Sequence, residues 1–133
     1  ASGEPLRLTQ ADVQMRGHAI ECRINAEDPA NDFVPSAGRV SLWVPPGGPG
    51  VRVDSHMYSG AVVPPFYDSL LAKLIVHRED RRESIATMRR ALEEFVVDGV
   101  KTTIPLFLEL FAHTSFTEGQ YDTNFVESYL RGT

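Results

Sequence analysis

Glu21, Arg23 and Asn25 place a carboxylate, a guanidinium and an amide at every second position of one short segment. In an extended strand such residues share a face at about 7 Å spacing, within reach of long side chains. A guanidinium held on a strand offers a rigid fork of donors to a carboxylate, a bicarbonate or another oxyanion. The same pattern also fits a surface ion pair between Arg23 and Glu21, which would be worth little. Further along, Pro64, Pro65, Phe66, Tyr67, Asp68 and Ser69 read as a turn stiffened by two prolines. Asp68 suits either capping the segment that follows or partnering an arginine from outside the reacting centre.

The other residues with chemical potential lack the spacing that catalysis needs. Gly47, Gly48, Pro49 and Gly50 are not followed by Lys and Ser or Thr, and the proline removes an N–H donor that a phosphate cradle uses. That stretch reads as a turn or contact loop. One cysteine and four scattered histidines (His18, His56, His77, His113) make no zinc spacing. There is no Gly-x-Ser-x-Gly elbow. Cys22 falls on the apolar face of its strand and reads as a small core residue rather than a nucleophile. The acid pair Glu93 and Glu94 reads as solvated helix surface.

The elements that must position these groups follow from periodicity. His18 to Asn25 alternates, with Ile20, Cys22 and Ile24 on one face and Ala19, Glu21, Arg23 and Asn25 on the other. Further strands are expected over residues 38–44, 51–56, 57–63 and 69–77, with a helix as the alternative for the first half of the last. Asp80 followed by Glu83 makes a capping-box start to a helix with the stripe Ile85, Met88, Leu92, Phe95 and Val96. Gly99 suits the left-handed position after that helix. A second helix begins at Thr102 or Thr103, with Pro105 in its first turn and Leu106, Phe107, Leu110 and Phe111 buried. A third, short one spans residues 124–130. The expected fold is α+β: a small antiparallel β assembly, barrel-sandwich-like, then two longer helices and one short C-terminal helix.

The chain has 133 residues, a net charge of −5 and 42% hydrophobic residues, which suits one core. No apolar run approaches the ~20 residues of a membrane helix, and no basic then apolar leader is present. A pI near 5.3 with no Lys/Arg block argues against nucleic acid or an anionic membrane as partner. A single cysteine fits a reducing compartment. The opening Ala1, Ser2, Gly3, Glu4, Pro5 reads as a cut through a longer protein, so residues 1–133 are taken as one domain of a larger chain.

Arg16-Gly17-His18-Ala19-Ile20-Glu21-Cys22-Arg23-Ile24-Asn25-Ala26-Glu27-Asp28-Pro29 resembles the opening motif of the biotin carboxylase C-terminal domain. Phe33-Val34-Pro35-Ser36-Ala37-Gly38, Pro64-Pro65-Phe66-Tyr67-Asp68-Ser69-Leu70-Leu71-Ala72-Lys73-Leu74 and Asp98-Gly99-Val100-Lys101-Thr102-Thr103 continue the resemblance in order. It runs from about Gly3 to Leu130. The resemblance implies a ligase that uses ATP and Mg²⁺ to activate bicarbonate as carboxyphosphate and then carboxylates biotin on a carrier protein. It implies that Arg23 is the catalytic arginine at the bicarbonate and biotin site, with Glu21, Asn25 and Asp68 as its supporting neighbours. It also implies that the ATP-grasp domain, which binds nucleotide and metal, precedes this segment. The segment alone is then expected to bind no cofactor or metal and to be inactive. The stretch 47–52 resembles the bacterial dimer contact, with Arg52 the interface residue, although Pro49 departs from the phenylalanine of that pattern. Expected partners are the biotin carboxyl carrier protein or domain, a carboxyltransferase and a second copy of the full enzyme. The family includes the biotin carboxylase of acetyl-CoA carboxylase, which serves fatty acid biosynthesis, and parts of propionyl-CoA, methylcrotonoyl-CoA and pyruvate carboxylases. The expected location is the cytoplasm, or the mitochondrial matrix for a eukaryotic enzyme. The rival readings are a non-catalytic assembly module, for dimerisation or carrier docking, and the C-terminal domain of another ATP-grasp ligase.

Overall fold

Alternation builds the central sheet. In strand β1 (His18–Asn25), Cys22 and Ile24 are buried while Glu21 and Arg23 are exposed. The computed structural model describes residues 2–132; Ala1, where the sequence reads as cut, and Thr133 lie outside the described residues. Strands β2 (Glu27–Asp28), β3 (Val34–Pro35), β4 (Gly38–Arg39), β5 (Leu42–Val44), β6 (Val51–Ser55), β7 (Val62–Val63) and β8 (Leu70–Arg78) follow. Helix α1 (Arg81–Glu94) and strand β9 (Val96–Asp98) come next. Helices α2 (Ile104–Ala112), α3 (Thr114–Glu118) and α4 (Phe125–Arg131) end the chain. β8 is the centre of an antiparallel three-stranded sheet, ordered β1-β8-β6. The remaining strands pair two by two: β2 with β3, β4 with β7, and β5 with β9.

One face of the three-stranded sheet is covered by α1. Asp80 caps that helix, its carboxylate accepting from the Glu83 N–H at 2.8 Å. Ile85, Met88, Ala91 and Leu92 recur at helical spacing and pack on Cys22, Ile24, Leu74 and Val76. Burying a side chain such as Met88 contributes about 1.5–3 kcal/mol. Ser84 is also fully buried, and its hydroxyl donates at 2.7 Å to the His18 carbonyl, tying the helix to the start of β1. A second, smaller cluster holds Ala26, Val40, Val63 and Leu71. Trp43 and Val97 pack against both clusters.

The α+β architecture matches expectation, and its details differ in several places; the expected strand 57–63 is reduced to β7, and the short pair β2 and β3 is an addition. The expected strand 38–44 is split into β4 and β5, because each half pairs with a different partner. The break falls at Val40 and Ser41, whose N–H groups donate to Ala61 and Asp98. The first helix ends at Glu94, not beside Gly99. Val96 leaves the apolar stripe and, with Val97 and Asp98, pairs with β5, while Phe95 packs edge-on to Trp43 at 4.9 Å. β-branched residues favour that extended pairing. Helix α3 is an addition to the expected elements; His113 starts it by accepting from the Ser115 N–H through Nδ1 at 3.2 Å. Among the described residues the sheets stay open and no barrel closes.

Gly99 ends β9 with φ +98°, and a Cβ there would sit 2.2 Å from the Arg39 carbonyl oxygen. Both the left-handed backbone and the close approach require glycine. Gly99→Ala is expected to destabilise the fold by about 1–3 kcal/mol or more. A lowered urea midpoint reads this out; a midpoint equal to the parent's would contradict it.

Candidate oxyanion site

Arg23 projects from the sheet face opposite α1, directly across from Lys73 on β8. Its guanidinium meets Asp68 at 3.6 Å, and the two side chains are 49% and 69% exposed. Asp68 lies in the turn after Pro64 and Pro65, and it is held in place because its Oδ1 accepts from the Leu70 N–H at 2.9 Å. Asp68 thus caps the start of β8 and also pairs with Arg23. Glu21 forms no ion pair with Arg23; it stands opposite Ile75, one row further along the sheet.

Asn25 is directed elsewhere. Its amide donates to Glu27 Oε1 at 3.1 Å, and the same oxygen accepts from the Ser69 hydroxyl. This ties the end of β1 to the start of β8 behind Asp68. The Asn25 Oδ1 is buried without a hydrogen-bond partner. The register shifts between Ile24 and Asn25, and Thr103 clamps this irregularity. Its Oγ1 accepts from the Asn25 N–H at 3.1 Å and donates to the Arg23 carbonyl at 3.2 Å. Its own N–H donates to the Asn25 carbonyl at 3.1 Å. The clamp grips the Arg23 backbone, so it fixes where the guanidinium starts. Sequence reading saw Thr103 only as a helix start and missed both the clamp and the Glu27–Ser69 tie. Nothing in the local pattern signals contacts across 78 or 42 positions.

Arg52 is exposed on β6 and closed on its own strand, donating to both carboxylate oxygens of Asp54 at 2.8 Å. Those hydrogen bonds hold the Asp54 carboxyl below the usual carboxylate range, and the charges of Arg52 and Lys73 add to the effect. The 47–50 stretch is a turn, with the Val51 N–H donating to the Gly48 carbonyl at 3.1 Å. Among the described residues no group of three or more His, Cys, Asp or Glu is placed to hold a metal ion. Two cavities of about 540 and 420 Å³, one between the Asp28–Ala30 turn and α2 and the other between β1 and the last three helices, are not lined by Arg23. The arginine thus stands on an open face. No helix among the described residues is long and apolar enough to cross a membrane.

Fold and site together define an α+β domain with a strand-borne arginine, paired with an aspartate, on an open sheet face. The chain belongs to the biotin carboxylase C-terminal domain family, whose model matches residues 21–128. It is 53% identical over 129 residues to Biotin carboxylase 1 of Bacillus subtilis (strain 168), covering 97% of this chain and 29% of that protein. It is 53% identical over 132 residues to a pyruvate carboxylase polypeptide of Methanothermobacter thermautotrophicus, covering 99% of this chain and 27% of that one. A solved structure of the biotin carboxylase domain dimer of Hydrogenobacter thermophilus 2-oxoglutarate carboxylase, with MgADP, ADP and bicarbonate, superposes with a TM-score of 0.93. That match is 43% identical and covers 96% of this chain and 28% of that one. The chain spans less than a third of the length of these relatives.

Cys22, next to the arginine, is not a nucleophile at neutral pH. Burial, assisted by the charge of Glu21, pushes its thiol up to about 12. A free thiol ionises near 8.5, so between roughly pH 9 and 12 the unfolded chain loses a proton that the folded chain keeps. Stability must then fall as pH rises through that window. Relative to a Cys22→Ala variant, the parent is expected to lose about 2–3 kcal/mol between pH 9 and 11. Urea unfolding of both proteins across that range checks this; a constant difference would mean that the thiol ionises normally.

Proposed function

We propose that this chain is the C-terminal part of an ATP-dependent biotin carboxylase, a ligase that carboxylates carrier-bound biotin with bicarbonate, and that Arg23 works at the reacting anion. The family match over residues 21–128 supports the reaction. The observation that carries the site is Arg23 itself, anchored by the Thr103 clamp yet with a guanidinium 49% exposed and only loosely paired. An exposed fork of this kind can exchange Asp68 for a substrate oxyanion without breaking a buried pair. Preorganised donors aimed at developing negative charge are worth most once water is excluded, which a neighbouring domain closing over the sheet face would achieve.

The donor set does not fit Mg²⁺ or a nucleotide phosphate cradle, so ATP and metal are assigned to an ATP-grasp portion of the full enzyme. Glu21, Asn25 and Asp68 are assigned supporting roles: Asp68 holds the guanidinium before substrate arrives, Asn25 braces the strand end through Glu27, and Glu21 sets charge along the sheet row. The final carboxyl acceptor is set by a carboxyltransferase partner. Acetyl-CoA, with a role in fatty acid biosynthesis, is one choice, and the relatives named for pyruvate and 2-oxoglutarate represent others. The proposed location is the cytoplasm, in keeping with the bacterial relatives. A second reading, an assembly or carrier-docking module, is favoured by Phe66 and Tyr67, which stand 88% and 81% exposed beside Asp68.

Two variants of the full enzyme test these readings. Arg23→Gln is expected to lower kcat for biotin carboxylation by about 10²–10³ while ATP affinity stays near normal. Near-parental turnover would remove Arg23 from the site and favour the assembly module. Arg52 is proposed to leave Asp54 for the other protomer of a dimer, so Arg52→Glu is expected to shift sedimentation towards monomer. An unchanged sedimentation profile would exclude Arg52 from the interface.

A further inference from the structure

The exposed face of the three-stranded sheet carries its charges in cross-strand rows. One row runs Arg23, Lys73, Asp54 and the next runs Glu21, Ile75, Arg52. Directly opposed residues in an antiparallel pair share a face, with Cβ atoms about 5 Å apart, and like charges so placed are destabilising. Arg23 and Lys73 are such a pair. Asp54, next in the row, does little to relieve it, because Arg52 takes both of its oxygens at 2.8 Å. Asp68 reaches only Arg23, at 3.6 Å. The Lys73 side chain makes no hydrogen bond and no ion pair among the described residues; its one electrostatic interaction is the longer-range attraction to Asp54. With Asp54 held by Arg52, the remaining close carboxylate is Asp68, which reaches Arg23 alone; Glu21, in the next row, forms an ion pair with neither cation among the described residues, so Lys73 is left without a close counter-charge.

We infer that Lys73 is a second substrate-binding cation of the Arg23 site, and that the pair holds a single small monoanionic oxyanion, bicarbonate, between a planar fork and a point charge. The division of labour follows from the side chains. The guanidinium fixes the orientation of a planar anion through paired donors, while the ammonium adds charge with little directional demand. A small monoanion can lie between the two side chains, whereas a nucleotide phosphate chain would bring several further negative charges beside Asp68 and Glu21. The register makes the pairing specific: a shift of one residue in β8 would turn Lys73 into the core. This inference rests on the reading that Arg23 meets the reacting anion.

The test uses the full enzyme, with KM for bicarbonate, KM for ATP and kcat measured in biotin-dependent ATP cleavage. Lys73→Met is expected to raise KM for bicarbonate about tenfold, the effect of losing one charge-assisted contact at a half-exposed site, with kcat and KM for ATP little changed. Lys73→Arg, which keeps the charge, should recover most of the loss, and a merely structural role for Lys73 would not produce that split. An unchanged KM for bicarbonate in Lys73→Met, alongside an inactive Arg23→Gln, overturns the inference alone. A rise in KM for ATP instead of bicarbonate overturns it by assigning the cation to a phosphate. An active Arg23→Gln enzyme overturns the reading beneath it as well.

Discussion

The two-faced geometry of β1 is the constraint on which the rest depends. Successive side chains of a strand must point to opposite sides. Packing Cys22 and Ile24 beneath α1 therefore forces Glu21 and Arg23 outward. The hydrophobic effect on one face thus aims the charged groups on the other, and no polar contact needs to do so. β8 shares the constraint from the centre of the sheet: Leu74 and Val76 go to the core, and Lys73 and Ile75 lie on the charged face.

Position along the strand is secured separately from facing. Thr103 grips the backbone on both sides of the irregularity after Ile24, contacting the Arg23 carbonyl and the Asn25 N–H. Glu27 gathers the Asn25 amide and the Ser69 hydroxyl, so the end of one strand and the beginning of its neighbour are joined. Three distant parts of the chain converge on a few ångströms of backbone. The guanidinium beyond that anchor is left exposed, with Asp68 as a solvent-facing partner, and surface pairs of that kind are worth little. A rigid stem with a lightly held head suits a group that must change partners.

Much of this was readable locally. The bounds of β1 coincide with the alternating run His18–Asn25, and Asp80 caps α1 as its spacing to Glu83 indicates. Cys22 is the small core residue that its face implied. Where local reading went astray, a distant strand had intervened. Val96 fits a helical stripe, yet pairing with Val44 drew it into β9. Residues 38–44 fit one strand, yet β7 and β9 each claim half. For Arg23 the local pattern left Glu21 and Asp68 both open as partners, and the turn after the two prolines delivered Asp68.

The sequence by itself determined the α+β class, the strand that bears Arg23 and the face on which it stands, because period, caps and turns are properties of neighbouring residues. Only the tertiary structure decided the arginine's partner, the Thr103 clamp and the opposition of Arg23 to Lys73. Those depend on which strands meet and in which register, and register is settled by burying the whole apolar set at once, across separations that no local window contains.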